Sequence, residues 1–362
     1  MSSLQDLSDA GVSIWLDDLS RERLESGSLA ELISNSNVVG VTTNPSIFSA
    51  AISGSDKYLA DIKRLASAGA SVNEIVNVLT TDDVRAACDL FAPTFEATLG
   101  VDGRVSIEVE PALATNTEGT IASGLALHAL VNRPNLLIKV PATLEGLPAI
   151  EELTARGISV NVTLIFSVER YLAVMDSYLR GLERRIGNGL SISEIHSVAS
   201  FFISRIDAEI DKQLDGNQPG SPLRGAAAIA NAHLAYEAYL KVLHSTRVQE
   251  LIKRGGNMQR PLWASTGVKD KAYDTTRYVV ELVAANCVNT MPEGTLNELR
   301  AHGVMRGDTV TSQIESSKAT ISALEEAGID LAAVTSHLES DGVKKFIGAW
   351  QELLANIAAA AK

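Results

Sequence analysis

Cysteine is scarce in this 362-residue chain, which has only Cys88 and Cys287. Two cysteines make neither a disulfide framework nor, by themselves, a zinc site, and such usage fits a reducing cytoplasm. Positive charge is short as well, with 31 Lys+Arg against 44 Asp+Glu and a formal net charge of −13. Nucleic acid and anionic membrane surfaces need clustered cations, so neither partner is expected. A local basic pocket for a phosphorylated small molecule is compatible with that balance. No apolar run reaches the length of a membrane span. Residues 1–9 lack the basic and apolar pattern of a secretion leader, so a cytoplasmic protein is expected. No G-x-G-x-x-G follows a strand and no Walker-type loop occurs. The six histidines show no paired metal-ligand spacing, so no metal and no cofactor is expected. There is no defensible Ser-His-Asp or Cys-His arrangement either.

What is present is an alternation of short apolar runs with helical patterns. The strand-like runs are Val12–Asp17, Val38–Thr43, Val105–Val109, Leu136–Val140, Ser159–Leu164, His196–Phe202, Pro261–Ser265 and Asn286–Thr290. Val84, Cys88, Phe91 and Phe95 share a helical face, with Thr80 as N-cap, Asp83 three residues on and Pro93 expected to kink or end the helix. Tyr171, Met175, Tyr178 and Leu182 mark a second helix, and Ile229, Tyr236, Leu240 and Leu243 a third. The turn-rich stretch Asp215–Pro222 reads as a loop into that third helix. Phe346, Trp350, Leu353 and Ile357 share one face of a docked C-terminal helix. About eight βα units suit a (β/α)8 TIM barrel with additional helices, taken as one domain over residues 1–362. An open doubly wound sheet is the competing architecture.

The informative residues are polar ones where a barrel strand should be apolar. Asp17 ends the first run, and Thr42, Thr43 and Asn44 end the second. Glu108, Lys139, Asn161, Thr163, Ser200 and Ser265 follow in successive runs. The C-terminal strand ends of a barrel form its active-site face, so these groups converge there. Each has a plain structural reading too. Lys139 either snorkels to solvent or is buried, where the cost of a charged amine favours the free base that attacks a carbonyl. Asp17 either caps a turn or serves as an acid/base group, and Glu108 is either a solvated strand-end acid or its counterpart. Asn44 either starts the Asn-Pro turn or binds a ligand. Asn161 and Thr163 either pair with each other or face a substrate. Ser200 is either packing or a contact. Arg205 either pairs with Asp207 at the surface or holds an anion. The recurrence of polar exceptions at one end of successive strands favours a site.

These segments resemble the transaldolase family. Gly40-Val-Thr-Thr-Asn-Pro-Ser46 resembles its second-strand signature. Asn135-Leu-Leu-Ile-Lys-Val-Pro-Ala142, followed by Glu145-Gly146, resembles the segment holding its Schiff-base lysine, and Gly157 to Ser167 resembles the next strand. The resemblance runs from Asp17 to about Lys269 and implies a metal-free barrel akin to the class I aldolases. It implies that Lys139 forms an imine with a ketose and that Asp17 is the general base for carbon–carbon cleavage. Glu108 and Thr163 would work through a water on carbinolamine dehydration. Asn44 and Asn161 would hydrogen-bond the retained three-carbon fragment, with Thr42 supporting the site and Ser200 contacting the same fragment. Arg205 and Ser265 would hold the phosphate.

The family pattern has an arginine two positions after Ser265, but here that position is Gly267, and Lys269 is the nearest cation. The segment from Arg205 to Pro261 points to a longer subtype with extra helices. The implied reaction moves a dihydroxyacetone unit from sedoheptulose 7-phosphate to glyceraldehyde 3-phosphate. It gives erythrose 4-phosphate and fructose 6-phosphate, in the non-oxidative pentose phosphate pathway. The alternatives are an aldolase releasing free dihydroxyacetone and a non-catalytic sugar-phosphate-binding barrel. Partners are sugar phosphates, and the protein is either a monomer or a homodimer.

Overall fold

The computed structural model describes residues 3–362. Met1 and Ser2, where the reading of residues 1–9 as leaderless begins, lie outside the described residues. Eight strands close into a parallel barrel in sequence order. They are β1 (Val12–Leu16), β2 (Val38–Val41), β3 (Arg104–Glu108), β4 (Leu136–Pro141), β5 (Val160–Ile165), β6 (Ser197–Phe202), β7 (Arg260–Ala264) and β8 (Cys287–Met291). Pairing of β1 with β8 shuts the ring, with Trp15 opposite Thr290 and Leu16 opposite Met291. Closure leaves no sheet edge and commits both strand faces to burial. All six residues of β4, β5 and β6 are accordingly buried.

Side chains two apart on a strand share a face. Ser13 and Trp15 on β1 with Asp17 just past its end, Arg104, Ser106 and Glu108 on β3, and Leu137 and Lys139 on β4 therefore form stacked layers inside the ring. The middle layer is filled by Trp15. A Cβ on Gly40 of β2 would stand 2.6 Å from the indole ring, so only glycine admits it. The layer above carries the polar groups.

The helical expectations hold in kind and shift in extent. Helix Val72–Ala97 starts at Ser71, which forms a reciprocal capping box with Glu74. Thr80 is therefore inside the helix and not its cap, bonding back to Val76 O at 2.9 Å. Pro93 neither ends it nor stops its last turn, because the pattern runs on to Ala97. Helix Val168–Gly187 buries Tyr171, Met175, Tyr178 and Leu182 as expected. Helix Ala227–Leu243 buries a stripe of alanines with Tyr236 and Tyr239, while Ile229, Leu240 and Leu243 stay half-buried. Helix Ser204–Asn217 extends into the segment read as loop, so the turn begins at Gln218. Between β6 and β7 lie three helices, Ser204–Asn217, Ala227–Leu243 and Thr246–Lys253, the extra length expected there. Among the described residues no helix is long and apolar enough to cross a membrane.

The last helix, Leu331–Ala360, packs over the C-terminal ends of the strands. Asp330 caps it by accepting from Ala333 N at 2.9 Å. It buries Phe346, Leu353 and Ile357, each worth roughly 1.5–3 kcal/mol on full burial. Trp350, expected on the same face, is only half-buried. Gly342 lets this helix come close: a Cβ there would lie 2.8 Å from Leu164 Cδ2 and 3.6 Å from Arg205 Nη1.

Candidate active site

Lys139 points into the barrel, and the residue is only 4% exposed. The solvent-snorkelling reading is thereby overturned. Its Nζ donates to Thr43 O at 3.0 Å and lies 3.5 Å from Glu108 Oε2. The strand register places Glu108, Lys139 and Asn161 side by side across β3, β4 and β5. The Phe346 ring from the last helix covers the amine, its centroid 6.0 Å from Nζ.

The two carboxylates differ in surroundings. Glu108 is buried, and neither of its oxygens finishes a well-shaped hydrogen bond. Loss of hydration pushes its carboxyl up to about 7, against the pull of Lys139. Asp17 keeps some solvent contact and accepts a bond from Thr42 Oγ1 at 2.6 Å. Crowding by protein raises its carboxyl above the usual range, opposed by Lys139 and then by the Thr42 bond. Asp17 does not cap the following turn. Ser20 caps that helix, and Asp18 pairs with Arg23 at 2.6 Å.

The neutral groups form a network across strands. Asn161 Nδ2 donates to Ser106 Oγ at 3.0 Å, and its Oδ1 accepts from Ser200 Oγ at 2.8 Å. Asn161 and Thr163 therefore do not pair with each other. Thr163 Oγ1 is buried without a partner. The register of β5 against β6 slips between Val162 and Ile165, and Leu164 takes a φ of 61°. A bulky residue in the left-handed region signals a locally imposed conformation, and bulges gather beside sites. Thr42 Oγ1 also meets Thr290 Oγ1 at 2.6 Å. Asn44 caps helix Pro45–Ser53 through its Oδ1, which accepts from Ile47 N at 3.0 Å. The Asn-Pro pair thus starts a helix where a turn was read, and the Asn44 Nδ2 amide stays available. A cavity of about 60 Å³ beside Glu108 is lined also by Asn44 and Trp350.

The cations gather at the rim. Arg205 does not pair with Asp207. That carboxylate is buried and accepts from Ala228 N and Tyr278 Oη at 2.7 Å each. Instead the Arg205 guanidinium stacks 5.0 Å from the Phe202 ring, with a buried Nη1 that has no partner. Burial lowers it from its ordinary range, against the pull of Asp341 and Asp17. Ser265 adopts a φ of 57° and lies 3.1 Å, Oγ to Oγ, from Ser204. Lys269 is exposed as a residue. Crowding, with Arg205 and Lys345 beside it, draws its ammonium below the usual range. Ser204 and Lys269 line an open cleft of about 620 Å³.

Sequence reading missed Ser106, Ser204, Phe346 and Lys345. Ser106 was findable, since it shares the inward face of β3 with Glu108. Phe346 and Lys345 were not, because a helix some 200 residues along the chain delivers them.

Residues 14–357 match the model of the Transaldolase/Fructose-6-phosphate aldolase family. A transaldolase from an Arthrobacter species is 57% identical over 355 residues, 98% of this chain and 96% of the relative. One from Thermobifida fusca is 54% identical over 359 residues, 99% of this chain and 98% of its own length. One from Mycolicibacterium smegmatis is 56% identical over 354 residues, with 97% and 95% covered.

Proposed function

The chain belongs to the transaldolase/fructose-6-phosphate aldolase family and is a transferase of the transaldolase type; we propose that Lys139 is the residue on which it carries a three-carbon unit between sugars. The observation that carries this reading is a lumen-facing, almost fully buried amine with a carboxylate 3.5 Å away. The reaction moves a dihydroxyacetone unit from sedoheptulose 7-phosphate to glyceraldehyde 3-phosphate, in the non-oxidative pentose phosphate pathway.

Lys139 attacks the ketose carbonyl as the free amine and forms a carbinolamine. Loss of water gives a protonated imine, which is an electron sink. Glu108, with a carboxyl pushed up to about 7, can hold or give a proton near neutral pH and so suits this dehydration. Thr163 supplies an unpaired hydroxyl on the neighbouring strand. Asp17 takes the proton from the hydroxyl whose ionisation breaks the carbon–carbon bond, leaving an enamine on Lys139. It returns that proton when the acceptor aldehyde adds. Asn44 and Asn161 hydrogen-bond the fragment's hydroxyls, with Thr42 and Ser200 holding Asp17 and Asn161 in position. Arg205, Ser265 and Lys269 receive the phosphate. Arg205 suits this because its fork makes paired charge-assisted bonds.

Phe346 shields the imine from water, which favours transfer over release. The last helix thus completes the site, so residues 1–362 act as one unit. Two buried free cysteines and sugar-phosphate substrates fit a cytoplasmic enzyme, working as a monomer or homodimer.

The test is borohydride reduction with fructose 6-phosphate, followed by peptide mass mapping. A three-carbon adduct on Lys139, discharged when an acceptor aldose precedes the reductant, is the expected result. An adduct on another lysine would overturn the assignment.

A further inference from the structure

The end of the barrel opposite Lys139 holds a polar cluster that the reaction does not use. Arg104 opens β3 and Arg260 opens β7, both at N-terminal strand ends. Arg104 is 1% exposed. Its Nε donates to Gly100 O at 2.7 Å and its Nη1 reaches Ser159 Oγ at 3.4 Å, but Nη2 has no partner. Among the described residues no carboxylate lies within ion-pair distance of it. The Phe95 ring faces the guanidinium, its centroid 5.0 Å from Cζ, but a guanidinium does not shed its proton, and a buried charge with no carboxylate bonded to it is costly.

Arg260 does not relieve this, because it is a second cation. The nearest acid, Asp102, is already taken. It accepts from Arg260 Nη2 at 2.9 Å, Ser13 Oγ at 2.7 Å and Trp15 Nε1 at 3.1 Å. Burial and the two arginines hold the His196 imidazole down to about 3, so it stays uncharged. Glu194 adds a negative charge from an exposed position outside ion-pair distance, so Arg104 still has no carboxylate bonded to it.

These three side chains share a cavity of about 230 Å³ with an apolar wall that includes Tyr239, Leu243 and Met258. An apolar cavity of about 150 Å³ already holds benzene. Trp15 roofs the space one layer below Asp17, so it is separate from the catalytic mouth.

We propose that this N-terminal mouth of the barrel is a second ligand site, built for a small organic anion with a carboxylate on an aromatic or short aliphatic body. The carboxylate sits against Arg104 and Arg260 and accepts from the unpartnered Arg104 Nη2. The body lies on the apolar wall.

Equilibrium dialysis with radiolabelled benzoate, with and without saturating fructose 6-phosphate, tests this. One benzoate per chain is expected, unchanged by the sugar phosphate. Benzyl alcohol, its neutral counterpart, should not compete. Arg104→Gln should weaken binding by at least about tenfold, the loss of a charge-assisted hydrogen bond. Val101 also lines the cavity and is 40% exposed, so Val101→Trp narrows the space without touching the arginines. It should abolish binding while turnover persists, and it decides the matter if the Arg104 variant does not fold. The proposal is overturned by no binding at millimolar benzoate, by displacement with fructose 6-phosphate, or by binding that survives Val101→Trp. Equal binding of benzyl alcohol, or binding of inorganic phosphate but not benzoate, overturns the ligand class.

Discussion

Lys139 Nζ and Glu108 Oε2 stand 3.5 Å apart with side chains only 5% and 3% exposed. The two groups come from adjacent strands in register, so the barrel itself fixes their separation. Glu108 has no other hydrogen-bond donor, which leaves its protonation state sensitive to pH.

Glu108 should make stability fall as pH rises through neutrality. Its carboxyl sits near 7 in the folded chain against an ordinary 4.5, so the folded state binds the extra proton between those values. Linkage then weakens folding as pH climbs across that window, by at most on the order of 3 kcal/mol. Glu108→Gln removes the titration. Urea midpoints from about pH 5 to about pH 8 should decline more steeply for the wild type than for this variant. Parallel curves would show that Glu108 titrates in its ordinary range.

Asp17→Asn should cut turnover by about 10²–10⁴-fold, the usual worth of a positioned proton acceptor. Imine formation should survive, because Lys139 and Glu108 are untouched. Borohydride trapping with fructose 6-phosphate should then yield a six-carbon adduct, since cleavage is blocked. Complete loss of trapping would assign Asp17 to the imine step instead.

Phe346→Ala should open Lys139 to water. The predicted signature is a several-fold rise in free dihydroxyacetone relative to transfer product. The substitution should also cost about 3–5 kcal/mol of stability, as for other buried phenylalanines. An unchanged product ratio in the folded variant would remove Phe346 from the shielding role.

Arg205→Ala should raise KM for fructose 6-phosphate by about 10–100-fold, and Arg205→Lys should recover only part of it. Lys269→Ala should raise KM only a few-fold, because Lys269 is an exposed residue and offers a point charge, not a fork. Steady-state kinetics with phosphorylated and unphosphorylated ketoses separates the cases. Equal effects on both substrates would contradict a phosphate role.

The strands were legible because burial on both faces demands short apolar runs, and the exceptions within them marked the inward polar layer. Lys139, Glu108 and Asn161 could be picked out for that reason. Element ends were less legible. Ser71 and Glu74 captured the start of helix Val72–Ala97, and a proline at position 93 was absorbed by a helix already held by its buried face.

Alternation, strand count and polar strand ends are local properties, so the chain alone made the parallel βα architecture and the inward polar positions legible, while closure into a ring over an open sheet is a tertiary result. Which of those groups touch was decided by closure. The Arg205–Phe202 stack displaced the nearby Asp207 because Asp207 found Tyr278 and a backbone amide far along the chain. The cover over Lys139 and the unpaired arginine beneath Trp15 arise in the same way. Each depends on surfaces that meet only when the ring is shut and the last helix is docked.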